Sequence, residues 1–133
     1  MFKVTREIHF CYGHRLMNYS GKCRHPHGHN GRVEVEVTSK KLDKRGMVVD
    51  FGDIKTRLQS WIDDHLDHQM ILRKDDPLVP VLKKMGEPIY LMQDNPTAEN
   101  IAREIFRAAK ARGLSVTRVT LWETDKSWAS YAP

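Results

Sequence analysis

Val33-Glu34-Val35-Glu36-Val37-Thr38 alternates apolar and polar residues without a break. Period two means one face turned to a core and one to solvent, so this is the clearest strand in the chain. Just before it lies Cys23-Arg24-His25-Pro26-His27-Gly28-His29-Asn30, which crowds a thiol and three imidazoles into a turn-prone segment. In extended chain, residues two apart point the same way. His27 and His29 can therefore offer two imidazoles to one metal ion, and His14 can add a third. Gly28 lets the backbone approach closely. Three nitrogen ligands with one open position is the pattern of catalytic zinc, whereas four protein ligands mark structural sites. Imidazole also suits iron, copper or nickel. His25 fits the same alternation and competes as a ligand, while His9 reads as an exposed strand residue. Cys23 is either the fourth ligand of a Cys-His₃ centre or a reactive thiolate beside the metal, favoured by the positive charge of Arg24.

Around this segment the elements follow from periodicity. Lys3 to Cys11 alternates, with Val4, Ile8 and Phe10 on the apolar side, and predicts a strand. Cys11 within it reads as a small buried hydrophobe. Asp43-Lys44-Arg45-Gly46 is a turn signal, so Met47-Val48-Val49 is expected to return as a third strand of a hairpin. Phe51, Ile54, Leu58, Trp61 and Ile62 have helical spacing, ending near His65-Leu66. Asp75 to Pro88 holds three prolines and a glycine and reads as a loop with at most a helical turn. Ile89 to Met92 is a short strand. Thr97 is an N-cap, Glu99 lies in the first turn, and Gly113 closes a helix carrying Ile101, Ile105, Phe106 and Ala109. Val116 to Thr124 is the last long strand, and Ser127 to Tyr131 adds a short one. Strands grouped apart from helices indicate α+β, with one sheet face left free to bury itself in an oligomer.

The 133 residues predict one domain spanning 1–133. Composition is that of an ordinary globular protein: 40% hydrophobic and 29% charged. No apolar run is long enough for a membrane span, and the first residues carry no signal-peptide core, so a cytoplasmic location is expected. Two cysteines in that setting predict free thiols. The net charge of +5 suits an anionic partner. The basic residues are scattered and not interleaved with aromatics, which argues against nucleic acid.

Two further features carry chemistry. Asp67-His68 follows the first helix. It is either a pair of helix-end charges or an imidazole whose tautomer a carboxylate sets for proton transfer. Glu123 shares a face with Val119 and Leu121, and a carboxylate facing inward needs a partner. That partner is either a structural cation or the N–H donors of a ring such as a purine or pterin.

Phe10-Cys11-Tyr12-Gly13-His14-Arg15-Leu16, Cys23-x-x-x-His27-Gly28-His29-Asn30, Val49-Asp50-Phe51, Leu66-Asp67-His68, Asn95-Pro96-Thr97-Ala98-Glu99-Asn100 and Trp122-Glu123-Thr124 resemble, in order, the 6-pyruvoyltetrahydropterin synthase / 6-carboxytetrahydropterin synthase family. The resemblance implies a tunnelling fold: an antiparallel four-stranded sheet with two helices on one face, oligomerising into a barrel, typically as a homohexamer. It implies Zn²⁺ held by His14, His27 and His29, Cys23 as the catalytic thiol, and Asp67 with His68 as its proton-transfer partners, drawn from more than one subunit. Glu123 matches the pterin anchor, and Thr97, Ala98 and Glu99 match the lining of the pterin pocket. The short spacing from Cys23 to His27 resembles the bacterial 6-carboxy enzymes of 7-deazaguanine and queuosine synthesis. These convert 7,8-dihydroneopterin triphosphate to 6-carboxytetrahydropterin, acetaldehyde and triphosphate. The alternatives are triphosphate elimination to the pyruvoyl product, or a basic binding module with a structural Cys-His₃ zinc.

Overall fold

The computed structural model describes residues 1–133. Its elements run β1 (Phe2–His14), a 3₁₀ turn (Lys22–Arg24), β2 (His27–Ser39), α1 (Phe51–His65), β3 (Gln69–Arg73), α2 (Leu78–Met85), β4 (Ile89–Met92), α3 (Ala98–Ala111), β5 (Val116–Thr124) and β6 (Ser127–Tyr131). The six strands form one sheet in the order β4-β3-β1-β2-β5-β6.

The expectation of a four-stranded antiparallel sheet with two helices is corrected on three counts. The sheet has six strands, there are three helices, and the pairing is mixed. β1–β2, β2–β5 and β5–β6 are antiparallel, but β3 pairs parallel to both β1 and β4. Parallel neighbours need long crossovers, and here α1 and α2 supply them. β3 escapes a search for alternation because both Ile71 and Leu72 are fully buried, as suits a strand covered on both sides.

α2 forms despite its prolines. Pro77 caps it and Pro80 sits in its first turn, where backbone N–H groups have no intrahelical acceptor to lose. Gly86, at φ 74°, ends it in the left-handed conformation. Met47-Val48-Val49 is not a strand. Asp43 N–H donates to the Met47 carbonyl at 2.8 Å, and Asp50 then caps α1 by accepting from Gly52 N–H at 2.7 Å. The segment is spent on a tight turn and a helix entry, and Val48 and Val49 pack on the core as loop residues.

One sheet face carries Ile8, Phe10, Tyr12, Val33, Val35, Val37, Val119 and Leu121, all buried. Against it pack Ile54, Leu58 and Ile62 of α1 and Ile101, Ala102, Ile105 and Ala109 of α3, all fully buried. Each large aliphatic there contributes about 1.5–3 kcal/mol. The histidines sit at the end of this apolar layer. An ion pair between part-buried Arg15 and fully buried Asp76 braces the same end. Arg15 Nε donates to Asp76 Oδ2 at 2.8 Å, its Nη2 donates to Oδ1, and Leu78 N–H donates to Oδ1 at 2.8 Å. No helix is long and apolar enough to cross a membrane.

Candidate active site

The β1–β2 ladder pairs His14 with His27 and Tyr12 with His29. Continuing the alternation of the valines, His27 and His29 fall on the helix-facing side, where His14 already lies only 2% exposed. Their ring centroids are 4.5 Å apart for His14–His27 and 5.1 Å for each other pair. One ligand nitrogen from each lies within 4.8 Å of the other two.

Main-chain carbonyls set two of the rings. His14 Nδ1–H donates to Pro96 O, and His27 Nδ1–H donates to His25 O, both at 2.7 Å. A carbonyl only accepts, so these rings present Nε2 as a free lone pair, the arrangement typical of metal-bound imidazole. His25 takes part through its backbone, and its side chain lies outside the cluster.

Glu123 enters from β5. Its Oε2 is 3.0 Å from His29 Nε2 and 3.4 Å from His14 Nε2. Neither contact is aligned as a hydrogen bond, so both buried ring nitrogens lack a hydrogen-bond partner. Burial disfavours charge on these rings. It lowers His14 to about 4, against the pull of the Pro96 carbonyl and with a small contribution from the other two rings. It lowers His29 as well, with Glu123 opposing and His27 adding. Burial, then the nearby Glu123 carboxylate, raises the Tyr12 phenol far above its ordinary value. Three imidazoles whose ring nitrogens converge beside a carboxylate, those of His14 and His29 buried and unpartnered, are a donor set that fits a divalent transition metal.

On the opposite face the ladder pairs Gly13 with Gly28, and this rung carries no side chains. A Cβ at Gly28 would come within 3.1 Å of Tyr12 O, and one at Gly13 within 2.9 Å of Met70 Cε. A cavity of about 750 Å³ opens there, bordered by Cys11, Asn30, His68 and Met70 and reached by His27 and His29.

Asp67 and His68 form the expected pair, with His68 Nδ1–H donating to Asp67 Oδ2 at 2.8 Å. Within one chain their thiol neighbour is Cys11. Its Sγ lies 3.4 Å from His68 Nε2, and its backbone N–H donates to Asp67 Oδ1 at 3.0 Å. Cys11 is thus a half-buried residue facing the cavity, not the buried hydrophobe its strand position suggests. Alternation alone could have placed it opposite Phe10, on the open face. Cys23 occupies the 3₁₀ turn, also half-buried, and belongs to neither donor cluster of the chain. Its carbonyl accepts from Leu16 N–H at 2.9 Å, tying that turn to the end of β1. Both cysteines are free thiols. Arg24 is engaged with the carbonyls of Ser20 and Gly21.

Thr97 caps α3 by accepting from Asn100 N–H at 3.2 Å, Ala98 is buried and Glu99 exposed. Asn95 bonds both the N–H and the carbonyl of Met17, so the loop before α3 is laced to the chain after β1. Pro96 O, the partner of His14, belongs to that loop and is the positioning group that residue types alone did not mark.

The family model described as 6-pyruvoyl tetrahydropterin synthase matches residues 3–133. A 6-carboxy-5,6,7,8-tetrahydropterin synthase of Rickettsia conorii is 43% identical over 131 residues, covering 93% of this chain and 95% of the relative. The enzyme of that name from Haemophilus influenzae is 34% identical, covering 98% and 99%. The structure of Caenorhabditis elegans 6-pyruvoyl tetrahydropterin synthase superposes with a TM-score of 0.75 at 27% identity, covering 99% of this chain and 95% of that one.

Proposed function

The chain belongs to the 6-pyruvoyl tetrahydropterin synthase family, and we propose that it is a zinc-dependent 6-carboxy-5,6,7,8-tetrahydropterin synthase. The substrate is 7,8-dihydroneopterin triphosphate, and the products are 6-carboxytetrahydropterin, acetaldehyde and triphosphate, in a route to 7-deazaguanines such as queuosine. The observation that carries the metal-dependent reading is the pair of buried, unpartnered Nε2 atoms of His14 and His29 beside His27. The choice of product is supported by the names of the relatives at 43% and 34% identity.

His14, His27 and His29 would hold the cation. When bound, it supplies Lewis-acid polarisation of oxygens on the substrate's side chain. Glu123 anchors the pterin ring by accepting from the ring's N–H donors, and Thr97, Ala98 and Glu99 line the ring's pocket. Cys23 takes a proton from the side chain. His68, oriented by Asp67, delivers one elsewhere on the substrate. Within one chain that dyad lies beside Cys11, so Cys23 works with the Asp67–His68 pair of a second copy. A site completed between copies makes a closed homo-oligomer, a hexamer of sheets joined into a barrel, the functional unit. Its place is the cytoplasm, with neither nucleic acid nor membrane as partner.

The test is to incubate the zinc-loaded protein with 7,8-dihydroneopterin triphosphate and identify the product by mass. The carboxy product supports the assignment, and the pyruvoyl product moves the chain to the other activity of its family. No turnover together with a Cys23-ligated zinc supports a structural metal module.

A further inference from the structure

Cys11, His68 and Asp67 are joined by four hydrogen bonds. Three hold the frame: Cys11 N–H to Asp67 Oδ1 at 3.0 Å, His68 N–H to Cys11 O at 2.7 Å, and His68 Nδ1–H to Asp67 Oδ2 at 2.8 Å. A carboxylate only accepts, so His68 carries its proton on Nδ1 and turns Nε2 outward as an acceptor. The fourth contact is then S–H of Cys11 donating to Nε2 at 3.4 Å, within reach for sulfur. His68 is held with φ at 59°, in the left-handed region that few non-glycine residues adopt.

A nucleophile against a base, with that base oriented by a third group, is the geometry that activates thiols in covalent chemistry. The cluster faces the cavity of about 750 Å³, which both Cys11 and His68 border. It lies on the sheet face opposite the three-histidine cluster and is complete within one chain.

We propose that Cys11 is a second nucleophilic centre, a covalent modification site for small uncharged carbon electrophiles of the activated-alkene class. With acrylamide as the electrophile, His68 Nε2 accepts the thiol proton. The sulfur then forms a bond to the alkene β-carbon, and the π pair moves to the α-carbon. The imidazolium returns the proton to that carbon. One S–C bond is gained, nothing leaves, and the base is regenerated.

The experiment uses full-length Cys23→Ser protein, so that Cys11 is the one thiol, with no pterin present. Acrylamide labelling of Cys11 is followed by peptide mass spectrometry at neutral pH, alone and with His68→Asn or Asp67→Asn added. Asparagine tolerates the positive φ at 68. Asparagine at 67 keeps an acceptor for Cys11 N–H but offers Nδ1 a donor, which forces the wrong tautomer on His68. Each added substitution slows labelling about tenfold or more, although His68→Asn also opens access to the thiol. Circular dichroism verifies the fold of each variant. Labelling at an undiminished rate in the folded variants, or no labelling of Cys11 in the parent, overturns the proposal. The reading needs no turnover, so it is distinguishable from a failure of the pterin assignment.

Discussion

The carbonyl of Pro96 accepts the Nδ1–H of His14 at 2.7 Å across 82 residues of chain. That bond aims the His14 lone pair at His29 and Glu123, and it makes the loop before α3 part of the histidine cluster. The expected behaviour of the protein follows from that geometry.

Removing His27 leaves two imidazoles, too few to hold zinc tightly. His27→Ala should therefore lose both bound zinc and turnover. His25→Ala should keep about one zinc per chain, because residue 25 contributes only its carbonyl. Elemental analysis of the two purified variants checks this, and a His25→Ala protein without zinc would reassign the ligands.

Cys23→Ala separates catalyst from structural ligand. A proton-transfer group typically contributes ~10²–10⁴-fold to a rate. The variant should lose activity on that scale while keeping its zinc and its melting temperature. A structural ligand would behave otherwise, since metal binding would then contribute directly to folding. Loss of zinc together with the fold would sink the catalytic assignment.

The metal-free protein should weaken in mild acid. His14 binds its proton near pH 6.5 when unfolded, but burial lowers that to about 4 in the fold. Between those values the unfolded chain holds more protons, so stability falls as pH drops through that window. The loss is complete below about pH 4 and amounts to roughly 3 kcal/mol. The lowered His29 acts in the same direction. Urea titrations of the metal-free protein at pH 7 and pH 4.5 should show the decline, and His14→Gln should reduce it.

Asp76 is buried, and its carboxylate is satisfied by Arg15 and Leu78 N–H. Asp76→Ala leaves the Arg15 guanidinium and that N–H without their acceptor. It should cost about 2–3 kcal/mol, less than for a fully buried pair because Arg15 is partly exposed. Equilibrium unfolding in urea measures the loss. A change below about 0.5 kcal/mol would show that the pair does not brace this end of the sheet.

Both edge strands, β4 and β6, leave one side without a strand partner. Open edges are templates for pairing with another chain. Light scattering should therefore find a hexamer or a trimer, and a monomeric, active protein would contradict a site shared between copies.

Local pattern carried much of this protein. The alternation of Val33, Val35 and Val37, the helical spacing of Ile54, Leu58 and Ile62, and the capping by Thr97 each involve neighbours a few residues apart. The structure keeps every one of these elements. The His-x-His spacing likewise places His27 and His29 beside His14, because a period-two backbone leaves no other choice of face. What the tertiary structure alone decided are contacts between distant residues. β3 and α2 exist because crossovers deliver β3 and β4 parallel to β1. Burial on both sides removes the alternation that would have announced β3. Cys11 meets Asp67 and His68 across 56 and 57 residues, and no spacing rule links them. Glu123 needed a partner by its inward position, but only the β1–β2 and β2–β5 pairings together determined that His29 and His14 stand beside it. Periodicity assigns a residue to a face, and sheet register determines which residues of two strands meet on that face.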